Sequence, residues 1–364
     1  MWRYSGLVGE YMLKTAEAAG SGQADGGNAA RARACTSPRA RIALLSNPKS
    51  TGNLAQLPRI RAFCAEHPDL FHYEVEHASQ IGQALKTIAQ VRPKLLVING
   101  GDGTVQAALT EMHNGGHFGA HSPPVAVLPS GKTNLIALDL GARGDPIAAL
   151  ERLIEAARGD LKPHIVAREL IALRRGPTEL GGEDKPVIGM FLGGAGLADT
   201  MLYCRNKIYP LGLPNGVAHV ITAVALLTKT FLRLKASFLP PDAKPLNLSL
   251  RGGNRLSGRF SLLAVTTLEK LLLSSDLGAN RQGTLKLLAI EERPGSMLGA
   301  IFASIGGKLG RSNVRGVHYE EAEQITIESD SSDVILDGET FRAESGRPIF
   351  LRPAQPLSFV KLAA

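Results

Sequence analysis

The sequence predicts an α/β domain followed by a β-rich domain. Two patterns carry that reading. From residue 41 to about 163, short apolar strands alternate with helical spacing, as in a parallel sheet covered by helices. From about Ile165 onward the segments are short and alternating, with frequent Gly and Pro turns, as in an antiparallel sandwich. With 364 residues and 44% hydrophobic content the chain can bury two cores, and 40 glycines against 5% aromatics suit a fold rich in tight turns.

Residues 1 to about 40 are small, polar and Gly/Ala-rich, so they read as a flexible tail. Order begins at "RIALLSNPKSTGN", a short apolar strand ended by an Asn-Pro turn signal. "LAQLPRIRAFCAEH" has helical spacing, "HYEVEHA" alternates as a strand, and "IGQALKTIAQV" is helical again. The strand "KLLVING" leads into the helix "TVQAALTEMH", where Val105, Ala108, Leu109 and Met112 follow i, i+3, i+4, i+7. "VAVLPSG" and "TNLIALDLG" repeat the strand–turn–helix theme, and "PIAALERLIEAARGDLKP" closes the first domain. The second, 164–364, runs through "HIVARELIALRR", "VIGMFLGG", "PLNLSLRG", "RFSLLAVTTL", "LKLLAIEE", "QITIESD", "DVILDG" and "PIFLRP", interrupted by a helical insertion at about 216–235. The last strand is free to return to the first domain.

Bulk properties narrow the functional classes. The net charge of +8 allows nucleic acid or an anionic membrane surface as partner. No zinc-finger spacing, RNP-like aromatic motif or dense basic helix is present, which points away from nucleic acid. Cys35, Cys64 and Cys204 lie far apart, as unpaired thiols in a reducing compartment do. The most apolar stretch, "VAHVITAVALLTKTFLRLKA", is broken by His219, Lys229 and Arg233, and "MWRYSGLVGEYMLKTAEAAG" lacks a signal-peptide core. The expectation is a cytoplasmic protein that can touch the inner face of a membrane. Its oligomeric state is left open, a homodimer included.

Four stretches carry chemistry. In "LLVINGGDGTVQAAL" a buried strand ends in Gly100-Gly101-Asp102-Gly103-Thr104 and a helix starts at once. Glycines let backbone N–H groups approach an anion, and the helix N-terminus adds unsatisfied donors. A carboxylate there would repel phosphate directly, so Asp102 would act through Mg²⁺ or through ribose or water contacts. "SNPKSTGN" occupies the equivalent corner after the first strand, with Asn47, Lys49, Ser50, Thr51 and Gly52. "PSGKTN" is the third corner, with Gly131, Lys132, Thr133 and Asn134. It is no P-loop, because the glycine required five positions before Gly131 is Ala126, inside an apolar strand. Three polar, glycine-bearing turns at strand C-termini form the kind of crevice in which open α/β sheets bind ligands. The fourth stretch, "SDVILDGETFRAESG", reads as a hairpin whose Asp-Gly turn holds Glu339, a carboxylate able to take a proton from an attacking hydroxyl.

"NPKSTGN", "GGDGTVQAAL", "PSGKTN" and "ILDGET", in that order and spacing, resemble the diacylglycerol kinase catalytic family, which includes bacterial lipid kinases and sphingosine kinases. "FLGGAGLADTMLYC" and "LPNGVAHVITAVALL" look like that family's second domain. The resemblance implies the NAD kinase/diacylglycerol kinase-like fold: a three-layer α/β nucleotide domain and a β-sandwich-like lipid domain. It implies ATP between the domains, held by Asn47, Ser50, Thr51, Gly100 to Thr104, Gln106 and Gly131 to Asn134, with Mg²⁺ reached by Asp102 through the nucleotide. By the same resemblance Glu339 is the proton acceptor, Asp199 resembles a substrate-facing acid of sphingosine kinases, and the lipid enters an apolar cleft at a membrane surface. The chain departs from the family at Gln106-Ala107, where Asn-Glu is common, and at Lys132 and Leu135 in the "GTxND" turn. Gln282 stands where many bacterial members have an aspartate for a structural Mg²⁺, so that metal is not expected. The basic residues Lys308, Arg311 and Arg315 suit anionic lipid headgroups. Two other functions fit the same motifs: a soluble-substrate kinase of the NAD kinase type, and a catalytically idle nucleotide- or lipid-binding regulator.

Overall fold

The computed structural model describes residues 41–119, 121–176, 185–204, 243–252, 254–268, 283–305 and 314–362. The tail, the helical insertion at about 216–235, Gln282, Lys308 and Arg311 lie outside the described residues.

Strand β1 (Ile42–Ser46) is buried along its whole length, as a central strand covered on both faces must be. It pairs in parallel with β2 (Leu70–Glu74) on one side and β3 (Leu95–Gly100) on the other, and β3 pairs in parallel with β4 (Val125–Pro129). The strand order β2-β1-β3-β4 reverses direction between β1 and β3, so the crevice beyond Ser46 and Gly100 is a topological switch point. Helices α1 (Asn53–Glu66), α2 (Ile81–Gln90), α3 (Asp102–Gly115), α4 (Leu135–Asp139) and α5 (Pro146–Arg158) provide the crossovers. The stripe Val105, Ala108, Leu109 and Met112 of α3 is buried, and Ile81, Ala84, Leu85 and Ile88 of α2 join the same core.

The second half is antiparallel. It contains β5 (Ile165–Arg175), β6 (Val187–Gly189), β7 (Phe191–Gly194), α6 (Gly196–Tyr203), β8 (Pro245–Leu250), β9 (Arg255–Thr266) and β10 (Leu285–Glu291). It continues with α7 (Pro294–Ile305), β11 (Val317–Ala322), β12 (Ile325–Glu328), β13 (Ser331–Leu336), β14 (Glu339–Glu344) and β15 (Ile349–Val360). Alternating inward residues, such as Leu246, Leu248 and Leu250 of β8, meet Leu263 and Val265 of β9 and Ile325 and Ile327 of β12 in a second core.

One strand joins the halves. β15 runs antiparallel to β5 and β12, and its end pairs Phe359 in parallel with Val125 of β4. Just beyond it, Leu362 N–H donates to Leu140 O at 2.9 Å. The sheet path is therefore continuous from β14 through β15 to β2. Asp102 at the head of α3 and the β13–β14 hairpin are thus carried on one hydrogen-bonded frame.

Candidate active site

The three corners of the α/β half are stitched together by buried polar groups. Ser130 Oγ donates to Asn99 Oδ1 at 2.5 Å, and Asn99 Nδ2 donates to Ser46 Oγ at 2.9 Å. Ser50 Oγ and Gly52 N both donate to Ser130 O, at 2.6 and 3.0 Å. Asn53 Nδ2 reaches Asn47 O at 2.8 Å and Asn99 O at 3.0 Å, while Asn47 Nδ2 donates to Thr104 Oγ1 at 2.8 Å. Buried networks of this kind rigidify the loops they join, because leaving any member unpaired costs more than the bond contributes.

Between the corners lies bare backbone. Helix α3 starts directly after Gly101, whose carbonyl accepts from Thr104 N and Val105 N, and no side chain caps it. The Asp102 and Gly103 N–H groups of its first turn thus remain for an anion. A Cβ on Gly131 would stand 2.8 Å from Gly101 Cα, so a side chain there would force the two corners apart. Asn134, in the left-handed region at φ 54°, locks the third corner: its Oδ1 accepts from Gly131 N at 2.6 Å and its Nδ2 donates to Gly131 O at 3.0 Å. The backbone N–H of Asn134 also donates to Asp102. Burial nevertheless pushes the Asp102 carboxyl up to about 6.

The hairpin completes the site. Asp337 (φ 43°) and Gly338 (φ 95°) make a two-residue turn with both central residues left-handed, as a type I′ hairpin demands. Asp337 does more than turn the chain. Its buried carboxylate accepts Met190 N–H at 2.7 Å and Phe191 N–H at 2.9 Å, and its own N–H donates to Phe191 O at 2.9 Å. Burial outweighs these bonds and, with the Met190 N–H and nearby Asp102 pulling in opposite directions, leaves its carboxyl at about 8. Anchored there, the hairpin lays Glu339 over the first turn of α3: a Cβ on Gly103 would lie 3.1 Å from Glu339 Oε1 and 3.8 Å from Asp337 O.

The result is an open cleft of about 450 Å³. Asn47, Ser50 and Thr51 line one side, Gly101 to Thr104 the floor, Gly131 to Thr133 a second side, and Gly338 and Glu339 the lip. Sequence reasoning missed the remaining wall, formed by Val75, Glu76, His77, Ala78 and Ile81. There Lys49 Nζ lies 3.3 Å from Glu76 and 3.2 Å from His77 Nε2. Four predicted residues are not brought to the lining. Gly100 faces Thr104, and Asn134 serves the turn described above. Gln106 is buried and donates to Thr110 Oγ1 at 3.4 Å, because its position on α3 faces the protein interior. Asp199 sits in the first turn of α6, which packs on β9 and β7.

Residues 41–163, which carry three of the four elements of this cleft, match the family model of the diacylglycerol kinase catalytic domain. Over that stretch, the α/β half, the chain is similar to the diacylglycerol kinase catalytic family. No curated protein matches the chain. Among solved structures it is similar to a candidate diacylglycerol kinase from Bacillus anthracis str. Sterne, at 18% identity and a TM-score of 0.58, with 89% of this chain and 97% of that one covered. A second structure of a diacylglycerol kinase from the same organism matches at 15% identity and a TM-score of 0.55, with the same coverage. At such identities the likeness shows the fold, the NAD kinase/diacylglycerol kinase-like arrangement of an α/β layer with a β-rich region. The coverage extends that fold through the second half of the chain, beyond the matched catalytic domain.

Proposed function

We propose that the chain is an ATP-dependent lipid kinase that transfers the γ-phosphoryl group to a hydroxyl of diacylglycerol or a related lipid. The observation that carries this reading is the approach of Glu339, from the second half of the chain, to the uncapped first turn of α3. A triphosphate fits the floor of the cleft because Gly101 and Gly131 present backbone without side chains, and Thr51, Lys132 and Thr133 supply hydroxyls and a positive charge around it. Among the described residues no three His, Cys, Asp or Glu side chains form a metal cage. The donor set fits a Mg²⁺ held by Asp102 together with phosphate oxygens, and such an ion would neutralise charge on the transferring group.

The transfer is balanced within the site. The lipid hydroxyl oxygen forms the new bond to the γ-phosphorus, the bond to the β-phosphate oxygen breaks, and ADP leaves. The hydroxyl proton passes to the Glu339 carboxylate. Preorganised N–H donors at α3 meet charge that develops on the phosphoryl oxygens, the contribution expected to dominate catalysis. A membrane surface supplies the lipid, and among the described residues no helix is long and apolar enough to cross a membrane.

The test is labelled ATP with a total lipid extract, products being identified by mass. Wild type should label a lipid. Glu339→Gln should lower turnover by roughly 10²–10⁴-fold while ATP binding persists. Near-normal turnover by that variant would remove Glu339 as base. Label found only in a water-soluble alcohol would move the chain to the NAD kinase type of activity.

A further inference from the structure

Helix α7 is apolar on both sides. Its inward residues Met297 and Ala300 are buried against Ala264, Leu288 and Ile290 of β9 and β10. Its outward residues Leu298, Ile301 and Phe302 are 41%, 39% and 71% exposed. These fall at i, i+3 and i+4 and so form one stripe. Among the described residues only Leu54 and Ile165 are other exposed large hydrophobics, and they sit on different elements. The helix sequence, "PGSMLGAIFASI", has no charged residue. A helix covering one side of a sheet ordinarily turns a charged face to water, and a contiguous apolar surface in its place marks an interaction site.

Two observations make a bilayer the partner. Exposed Arg293 precedes the helix, and exposed Arg315 is tied to it where Ser296 Oγ donates to Arg315 O at 3.1 Å. Of the acids nearby, Glu292 is half-buried, and Glu291 lies 3.1 Å from Arg293 and 3.4 Å from His318, an exposed ion pair that Arg293 exchanges for a headgroup phosphate on docking. An apolar stripe with arginines at its rim matches a helix lying in the headgroup plane of an anionic membrane. The layer beneath α7 also leads to the cleft. Phe191 packs against the same cluster as Met297 and Ala300, and its backbone exchanges hydrogen bonds with Asp337.

We propose that α7 is the membrane-docking element of this protein, its Leu298, Ile301 and Phe302 stripe entering the acyl boundary of an anionic bilayer while Arg293 and Arg315 meet headgroup phosphates. The choice of partner rests on the lipid kinase reading. The test is separable from it, since binding is measured without ATP or turnover.

The full-length protein is floated with vesicles of phosphatidylcholine and phosphatidylglycerol. Wild type should float. Leu298→Ser/Ile301→Ser/Phe302→Ser should lower the partition coefficient by more than about tenfold while cooperative unfolding is retained, because the stripe is the more exposed side of the helix. Arg293→Gln/Arg315→Gln should lower it roughly tenfold on these vesicles and leave binding to pure phosphatidylcholine unchanged. If the triple variant folds poorly, Phe302→Trp in a Trp2→Phe background gives a second readout, quenching by brominated acyl chains. Wild type that stays in solution, a folded triple variant that floats as well as wild type, or a residue 302 reporter that is not quenched would each overturn the proposal. So would a wild-type dimer that the triple substitution makes monomeric with no change in flotation. Vesicle binding through α7 without labelling of any lipid would sink the kinase reading and leave the docking face standing.

Discussion

Gly103→Ala separates folding from chemistry at the point where the two halves meet. The added methyl would stand 3.1 Å from Glu339 Oε1, a few tenths of an ångström inside ordinary van der Waals contact. Glu339 is exposed and its carboxylate is the end of a flexible side chain, so it gives way at little cost. Alanine is also the better helix former, by up to about 1 kcal/mol in a helix interior and less in the first turn. Stability should therefore stay within about 1 kcal/mol of wild type. Catalysis has no such tolerance: a displacement of about 1 Å costs on the order of 10²-fold, so a shift of a few tenths predicts a fall in kcat of roughly tenfold. Turnover with labelled ATP is to be read beside thermal unfolding and nucleotide binding. A folded variant with kcat within about twofold of wild type would refute the placement of Glu339 as the reacting base.

Further outcomes follow from the same geometry. Asp337→Ala strands two buried N–H donors, those of Met190 and Phe191, and should destabilise the chain by roughly 2–5 kcal/mol in denaturant unfolding; a loss under about 1 kcal/mol would mean that the carboxylate is no anchor. Lys132→Ala should raise KM for ATP by roughly three- to tenfold with a smaller effect at high salt, and an unchanged KM would take Lys132 away from the phosphates. The Asp337 carboxyl is held up at about 8, so between its ordinary value and pH 8 the folded chain binds more protons at this site than the unfolded chain. The contribution of this carboxyl to stability is therefore present at low pH and lost as pH rises toward 8. Wild type compared with Asp337→Asn across pH 5 to about 8 should show that decline, and a parallel pair of curves would contradict it.

Much of this site was legible because its chemistry is local. A strand that runs straight into Gly-Gly-Asp-Gly and then a helix can form only one kind of corner, and the Asp-Gly pair between alternating runs specifies its hairpin. What stayed hidden depends on partners far away in sequence. Asp337 reads as a turn residue, and only the fold shows it bonded to Met190 and Phe191. The wall of Glu76 and His77 follows an unremarkable strand, with no residue pattern to announce it. Gln106 shares the motif of its neighbours, yet helical geometry turns it inward. The length of β15 is concealed by Pro353 and Pro356, which cannot donate to a ladder. Pro353 keeps its place opposite Ile171 of β5, and Pro356 falls where the register with β5 shifts between Ala354 and Leu357.

The measurement that bears most directly on this account is hydrogen exchange with and without Mg²⁺-ATP. If the corner at Gly100 to Thr104 and the hairpin tip at Asp337 to Glu339 border one triphosphate, the nucleotide should slow exchange at both. Protection confined to the first segment, with the hairpin exchanging as in the free protein, would contradict it.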